Sequence, residues 1–255
     1  MLFSIITITL NNLAGLRRTA ASLPVPAPEL FEWIVIDGGS RDGTGAWLAG
    51  QNRRDLTWVS EPDQGIFDAM NKGLRRAKGC YALFMNAGDT LAPENVLARI
   101  AGEIGLRQPV MVYGDSIELG RNGATLRKAA RSPGWNRYSL FTHHQSILYR
   151  RDMLGEGYDM SYRLSADWAL TSRILARSDA AIQRFPGAIC HFERGGISQS
   201  EAQRPLINAE HWRILREEMQ LPLAFTLYRL KLAANQLRRS LPGVYDLLRF
   251  RKSRA

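Results

Sequence analysis

Short apolar segments alternate with helical patterns through the first half of the chain. Four of these segments lead into an aspartate, and Asp37, Asp63, Asp89 and Asp115 lie at intervals of 26 residues. Short apolar runs between turn residues are typical of buried strands in a mostly parallel sheet. Strand–helix alternation predicts an α/β fold, in which ligands bind beyond the carboxyl ends of the strands. Acidic groups at that edge indicate a cation and a polyphosphate.

The same pattern sets the expected elements. We predict strands at 4–10, 33–37, 57–60, 80–86 and 110–113, and helices at 13–22, 66–77 and 93–105. A turn at 120–123 predicts a hairpin between 116–119 and 124–128. The second half predicts a helix at 166–178, short strands at 182–185 and 189–192, a flexible segment at 195–200, and helices beyond Pro205.

Composition is that of a globular protein. The chain has 255 residues, is 45% hydrophobic, and contains two cysteines, Cys80 and Cys190, too few for a disulfide framework. We therefore expect a reducing, cytoplasmic setting. The apolar first ten residues lack a basic region and a cleavage site, so we interpret them as the first strand and not as a signal peptide. No apolar run approaches the length of a membrane span.

The net charge of +10 is concentrated near the end of the chain. Residues 204–255 hold eleven Lys/Arg against four Asp/Glu. We predict a domain at 1–203 and a basic amphipathic helical extension at 204–255. Such a helix either lies on the inner membrane surface or packs on the enzyme body or another subunit. Its apolar stripe comprises Leu223, Leu227, Leu230, Ala234, Leu237 and Leu241.

Two segments carry groups suited to a nucleotide. Asp37 begins a glycine-rich turn after a strand, where an acid commonly binds a ribose or a base; alternatively, Asp37 or Asp42 caps the next helix. Asp68, Asn71 and Lys72 share one helix face because they lie at i, i+3 and i+4. That face suits a phosphorylated nucleoside, or is a solvated face with a local ion pair.

Other candidates are more ambiguous. Asp89 follows a hydrophobic strand and offers a hard oxygen to Mg²⁺ or Mn²⁺, or is a turn acid. His143 and His144 point to opposite faces if they lie on a strand, so at most one faces a pocket, as a hydrogen-bonding residue. Asp167 stands at a predicted helix start, where the helix dipole favours a negative charge even if the residue has no other role. Trp168 beside it offers an aromatic wall for a sugar.

Five stretches, in this order along the chain, resemble the family 2, GT-A-fold inverting glycosyltransferases. They are SIITITLNN at 4–12, IVIDGGSRDGT at 34–44, EPDQGIFDAMNKG at 61–73, LFMNAGD at 83–89 and SADW at 165–168. The later GGIS at 195–198 resembles the bacterial exopolysaccharide branch of that family, which includes a colanic acid glycosyltransferase. The resemblance spans residues 1–200.

The resemblance implies a Rossmann-like nucleotide-diphospho-sugar transferase and a role for each matching residue. Asp167 matches the catalytic base and Asp89 the last acid of the DxD metal motif, which implies Mg²⁺ or Mn²⁺. Two positions depart from the family: Asn86 replaces the first DxD acid, and Ala166 replaces the glutamate before the base. The candidate nucleotide contacts are Thr9, Asp37, Ser40, Asp68, Asn71 and Lys72. The candidate acceptor or sugar contacts are Trp168 and His144.

The implied reaction is inverting transfer of a hexose from a UDP- or GDP-sugar to a hydroxyl of a growing, lipid-linked saccharide in exopolysaccharide biosynthesis. A non-catalytic sugar-nucleotide- or polysaccharide-binding relative is the alternative, because two family acids are missing. A dinucleotide oxidoreductase is disfavoured, since the glycines at 39–45 follow the second strand and do not spell G-x-G-x-x-G. Nucleic acid is not expected as a partner, because the tail has no recognisable binding module.

Overall fold

The structure is a computed structural model that describes residues 1–24, 29–93, 95–120, 124–177, 181–193, 201–221, 223–240 and 251–252. Its strands are β1 Phe3–Thr9, β2 Phe31–Asp37, β3 Leu56–Ser60, β4 Tyr81–Asn86, β5 Thr90–Leu91, β6 Met111–Leu119, β7 Thr125–Lys128, β8 Ile147–Arg150, β9 Ile182–Glu193 and β10 Arg251–Lys252. Its α-helices are α1 Leu13–Ser22, α2 Thr44–Ala49, α3 Ile66–Leu74, α4 Val96–Ile104, α5 Ala166–Arg177, α6 Arg204–Arg213 and α7 Ala224–Ser240. The predicted flexible segment at 195–200 lies outside the described residues.

The strands form one mixed sheet in the order β10–β7–β6–β8–β4–β1–β2–β3, and β9 pairs with β5 and β6. The neighbours β4, β1, β2 and β3 are parallel, as the alternating pattern predicts. In register, Thr9 faces Asp37 and Ile8 faces Asn86. The carboxyl ends of these strands therefore bring the candidate nucleotide and metal residues to one edge.

Both faces of the sheet are buried. Ile6 and Ile8 of β1 belong to a cluster with α3 and α5, whereas Phe3 and Ile5 belong to a cluster with α1 and α4. Successive residues of a strand point to opposite faces, so a strand covered on both sides is largely apolar, and the buried Ser4 hydroxyl of β1 donates to Glu32 at 2.6 Å. Each fully buried aliphatic side chain contributes about 1.5–3 kcal/mol to folding. This double covering explains the continuous apolar run that opens the chain.

The second half of the sheet differs from the predicted elements. The segments predicted at 110–113 and 116–119 form one strand, β6, and those at 182–185 and 189–192 form one strand, β9. The β6–β9 pairing is irregular around Asp115, so this aspartate marks a bulge within a strand and not a strand end. The short β8, antiparallel to β4 and β6, was not predicted because its four residues carry no distinctive alternation.

The C-terminal helices begin as part of the body. Ile214 and Leu215, in a π-helical turn after α6, are buried in the cluster that contains Leu170 and Ile174 of α5. Arg173 of α5 also pairs with Glu218 at 2.7 Å. The division at 203/204 stays a prediction, and the structure shows this much of the extension packed on the first unit. None of the described helices is long and apolar enough to cross a membrane.

Candidate active site

The tips of β1 and β2 form the innermost part of the candidate site. Asp37 is fully buried. Its carboxylate accepts hydrogen bonds from the backbone N–H of Ser40 at 3.1 Å, from the Ser40 hydroxyl and from the Ser60 hydroxyl at 2.6 Å. Beside it, the buried Thr9 hydroxyl has no hydrogen-bond partner among the described residues. A buried polar atom without a partner is costly, so Thr9 Oγ1 is an open position for a ligand.

The loop after β2 is tied to the loop after β1. Asn11 donates its backbone N–H to the Ser40 hydroxyl at 2.7 Å and accepts the Arg41 N–H at 2.8 Å. Asp42 accepts the Leu13 N–H at 2.8 Å, the Thr44 hydroxyl at 2.6 Å and the Thr44 N–H at 3.2 Å. The hydrogen bond from Thr44 is the main cause of a lowered pKa for Asp42. The N-cap of α2 is Gly43, and it makes no side-chain cap hydrogen bond, so neither Asp37 nor Asp42 is the capping residue that the sequence left open.

Asp68, in the first turn of α3, and Lys72, in its last turn, lie together on one face of the helix. The Lys72 ammonium contacts the Pro62 carbonyl at 2.7 Å, Glu61 at 3.0 Å and Asp68 at 3.6 Å. Burial alone would lower the pKa of Lys72, but the hydrogen bond to Glu61 and the charges of both acids raise it. The ion pair proposed as an alternative from the sequence is therefore present, and Lys72 carries its charge at neutral pH.

Asn71 turns away from that pair. Its amide donates to the Tyr158 carbonyl at 2.8 Å and accepts the Tyr158 N–H at 2.8 Å. These bonds hold the loop before α5 against α3, and they engage the amide within the protein. A nucleotide contact for Asn71 stays a prediction, and the structure adds a positioning role.

Asp89 lies buried where β4 ends. Its carboxylate accepts the N–H groups of Asn86 at 3.2 Å and Glu193 at 3.0 Å. Burial, with a smaller contribution from the charge of Glu193, raises the pKa of Asp89 to about 7. The Asn86 side-chain oxygen is buried and has no hydrogen-bond partner within the described ranges. Two hard oxygens, one of them unpartnered, therefore stand where the sequence predicts a divalent cation.

The surroundings of Asp89 include residues that sequence reasoning missed. Glu193, the last residue of β9, forms an ion pair with Arg18 at 2.7 Å. Gly88 has a φ of +110°, and a Cβ on it would lie 2.2 Å from the Glu193 carboxylate. These contacts come from the return of β9 to the sheet edge, which the local pattern does not specify. No cluster of three or more His, Cys, Asp or Glu occurs in the described part of the chain.

Asp167 begins α5 and opens into a cavity of about 210 Å³. One oxygen accepts the Trp168 N–H at 2.8 Å. Burial and, to a smaller extent, the charge of Glu210 raise the pKa of the Asp167 carboxyl to about 6. Glu210, on α6, is itself buried and accepts the N–H groups of Arg163 at 2.6 Å and Leu164 at 3.1 Å. An acid that is ionised at neutral pH but holds a proton slightly below it is suited to general-base chemistry.

The two candidate sugar contacts are mostly enclosed. Trp168 lines the same cavity but is 2% exposed, and its ring N–H donates to the Asn136 carbonyl at 2.8 Å. His144 stacks on Phe84 with ring centroids 5.4 Å apart and contacts the Tyr158 hydroxyl at 2.7 Å. Burial lowers the pKa of His144 to about 3, so this ring is neutral at pH 7. Direct sugar contacts for both residues stay predictions.

The neighbouring histidine, His143, has a different contact. His143 contacts Glu118 at 3.1 Å, so the two adjacent rings have different partners. The backbone there is not the strand assumed from the sequence, because residues His144–Ser146 form a 3-10 turn. His191 of β9 pairs with the Thr90 hydroxyl at 3.2 Å.

Acids stand at the carboxyl edge of the parallel strands, and a later helix begins with a partly buried acid. This combination is typical of the GT-A nucleotide-sugar transferases. Residues 4–171 match the family model described as "Glycosyl transferase family 2". A "PGL/p-HBAD biosynthesis glycosyltransferase" of Mycobacterium tuberculosis is 33% identical over 207 residues, covering 78% of this chain and 80% of that protein. The chain belongs to glycosyltransferase family 2.

Solved structures share the fold. Staphylococcus aureus TarS 1–349 in complex with UDP-GlcNAc has a TM-score of 0.65 at 18% identity, over 86% of this chain and 72% of that chain. The mannosyltransferase PcManGT from Pyrobaculum calidifontis, in complex with GDP-Man and Mn²⁺, has a TM-score of 0.61 at 19% identity, over 96% and 78%. The chain spans 44% of the longer TarS structure. These likenesses establish the GT-A fold.

Proposed function

We propose that this protein transfers a sugar, with inversion, from a UDP- or GDP-sugar to a hydroxyl of a lipid-linked saccharide in bacterial exopolysaccharide biosynthesis. The observation that carries the proposal is Asp167, a carboxylate with a raised pKa that opens into a cavity at the start of α5. Family membership supports sugar transfer, and the TarS and PcManGT complexes hold sugar nucleotides on the same fold.

The nucleoside end of the donor is assigned to the tips of β1 and β2. Asp37 is held rigidly by Ser40 and Ser60, so its carboxylate is oriented before a ribose or base arrives. The unpartnered Thr9 hydroxyl gains a partner when the donor binds. Asp68 and Lys72 at the rim complete the proposed contacts, with Lys72 carrying positive charge for the phosphates.

The reaction proposed is a single displacement. Asp167 takes the proton of the acceptor hydroxyl while the hydroxyl oxygen attacks the anomeric carbon from the side opposite the nucleotide. The bond from that carbon to the diphosphate oxygen breaks, and the nucleoside diphosphate leaves with the bonding pair. One displacement inverts the anomeric centre, so one carboxylate is sufficient and no covalent sugar–enzyme intermediate is required.

A divalent cation fits the end of β4. Asp89 would hold Mg²⁺ or Mn²⁺ together with the unpartnered oxygen of Asn86, and diphosphate oxygens of the donor would complete the ligands. When bound, the cation supplies charge that offsets the negative charge developing on the leaving diphosphate. Asn86 has an amide where the family has the first acid of the DxD motif, so the site carries less negative charge. We therefore expect cation binding to depend on the donor being present.

The proposed site of action is the inner face of the cytoplasmic membrane. Leu223, Phe225 and Leu230 around α7 are 66%, 63% and 58% exposed. Ala224 and Tyr228 instead face the protein body. The body therefore does not cover Leu223 and Leu230, the described members of the predicted apolar stripe. The side chains of residues 227, 234 and 237, and residue 241, lie outside the description. Exposed apolar groups beside basic residues suit an anionic membrane surface, where a lipid-linked acceptor resides.

One screen tests the proposal. Purified protein is titrated with UDP- and GDP-sugars by calorimetry, and release of nucleoside diphosphate is followed with and without lipid-linked saccharide. We expect binding of one donor, acceptor-stimulated release, and a product whose anomeric proton shows inversion by NMR. Binding without any transfer or hydrolysis would favour the non-catalytic relative. Failure to bind either donor class would contradict both.

A further inference from the structure

The cavity beside Asp167 has a wall that the family resemblance does not include. Ile207 and His211 of α6 line it opposite Leu140 and Leu164. The family match ends at residue 171, before α6 begins. Ile207 and His211 lie at i and i+4, so they occupy one face of the helix. The cavity is therefore completed by a segment outside the matched region.

The position of that wall is fixed by two contacts. Buried Glu210, between the two lining residues, accepts two backbone N–H groups of the segment that leads into α5. The ring of His211 meets the Trp168 ring edge-on, with centroids 4.8 Å apart. Because Trp168 is next to Asp167, α6 is held in register with the carboxylate proposed as the base.

The size and lining of the cavity indicate what it accepts. At about 210 Å³ it is smaller than the several hundred Å³ usual for drug-sized ligands, which leaves room for a single ring. Leu140, Leu164 and Ile207 offer apolar surface, whereas Asp167 and Ser165 offer oxygens. A pyranose ring has both an apolar C–H face and hydroxyls at its edge, so it matches this combination.

On the basis of the proposed function, we infer that α6 forms the acceptor pocket, with Ile207 and His211 selecting an acceptor that ends in one sugar ring. The apolar face of that ring lies against Ile207, and one of its hydroxyls faces Asp167. Ile207 acts as a specificity residue, and its size limits how much of the acceptor enters.

The experiment uses the full chain and a panel of octyl glycosides, comprising monosaccharides and the bulkier octyl maltoside, with hydrolysis of the donor measured in parallel. Ile207→Phe narrows the cavity, and we expect the KM for octyl monosaccharides to rise roughly tenfold or more while the donor Kd, measured by calorimetry without acceptor, is unchanged. Ile207→Ala widens the cavity, and we expect kcat/KM for octyl maltoside to increase relative to that for the octyl monosaccharides. His211→Ala should raise the KM for the acceptor and leave the KM for the donor unchanged.

The matched control is Ala209→Phe, which adds the same ring on the exposed side of α6. Thermal melting checks that each variant is folded. Equal acceptor KM values for Ile207→Phe, Ala209→Phe and the parent would overturn the inference. So would a parent that hydrolyses its donor but transfers to no octyl monosaccharide. A parent that neither binds nor hydrolyses any sugar nucleotide would instead contradict the proposed function.

Discussion

Glu210 of α6 lies close enough to Asp167, at the start of α5, for its negative charge to add to the raised pKa of the Asp167 carboxyl. Burial is the larger cause, and the backbone N–H of Trp168 opposes both. Glu210 also accepts two N–H groups from the residues before α5. A residue of the predicted extension therefore influences both the position and the proton affinity of the proposed base.

The pH dependence of transfer should report this pair. Asp167 accepts a proton only when ionised, so kcat/KM should rise with pH through about 6 and level off above it. Glu210→Gln removes a charge that raises this pKa, so the rise should move to lower pH. The exposed Glu156→Gln is the control. An unmoved or higher midpoint in Glu210→Gln would contradict the coupling.

Asp167→Asn should abolish transfer without weakening donor binding. Removing a general base costs roughly 10²–10⁴-fold in rate, and the amide preserves the shape of the side chain. Transfer assays measure the rate, and calorimetry measures the donor Kd. Asp152→Asn, at an acid whose side chain is 67% exposed, should match the parent. Turnover near the parent value in Asp167→Asn would remove the assignment.

The sequence predicted the first half of the fold and the position of the site, and the physical reason is local. Strands β1, β2 and β4 are buried on both faces, so each is a mostly apolar run that ends at a polar tip. The tips are adjacent because parallel neighbours share their carboxyl edge. Thr9, Asp37 and Asn86 thus follow from local pattern.

What the sequence could not predict depends on long-range packing. Glu193 reaches Asp89 only because β9 returns to β5, and Glu210 reaches Asp167 only because Ile214 and Leu215 bury the turn after α6. Asp115 had the same spacing as the other aspartates. It is nevertheless an ion-pairing group, bound to Arg127 at 2.7 Å and Arg184 at 3.1 Å.

Divalent cation binding should depend on position 86 and on pH. Asn86→Asp restores a second carboxylate, and we expect tighter Mn²⁺ binding in the presence of UDP, whereas Asp89→Asn should weaken it. Because the pKa of Asp89 is about 7, protons compete with the cation and affinity should increase from pH 6 to pH 8. Calorimetry and Mn²⁺ electron paramagnetic resonance measure both. Equal donor affinity of the parent with and without EDTA would argue against the site.

Stability should fall as these two acids ionise. The folded-state pKa values of Asp89 and Asp167, about 7 and about 6, exceed the ordinary 3.8, so the folded state binds more protons between these limits. Their contribution to stability is complete below pH 4 and is lost as pH rises to about 7. We expect Asp89→Asn to flatten the fall in Tm over this range. A steeper fall in that variant would show the sign to be wrong.

The turn after α6 should be essential for stability. Leu215 is 1% exposed within the core, so Leu215→Ala should lower the free energy of unfolding by about 2–5 kcal/mol. Leu223→Ala removes the same atoms from a side chain that is 66% exposed and should change stability by less than about 0.5 kcal/mol. Denaturant unfolding measures both. Equal effects would show that this segment does not belong to the body.

The exposed apolar side of α7 should decide membrane association. Replacing Leu223 and Leu230 by serine removes the large apolar groups that would enter the interface, while Ala224 and Tyr228 keep the helix on the body. We expect partitioning onto anionic vesicles to fall roughly tenfold or more, because interfacial binding scales with buried apolar area. Binding of the parent should also weaken with salt, since basic residues contribute. The control replaces Thr226 and Ala233, which are also exposed on α7, by serine. If both double variants float with the vesicles as the parent does, α7 does not bind the membrane, and the acceptor must be sought in solution.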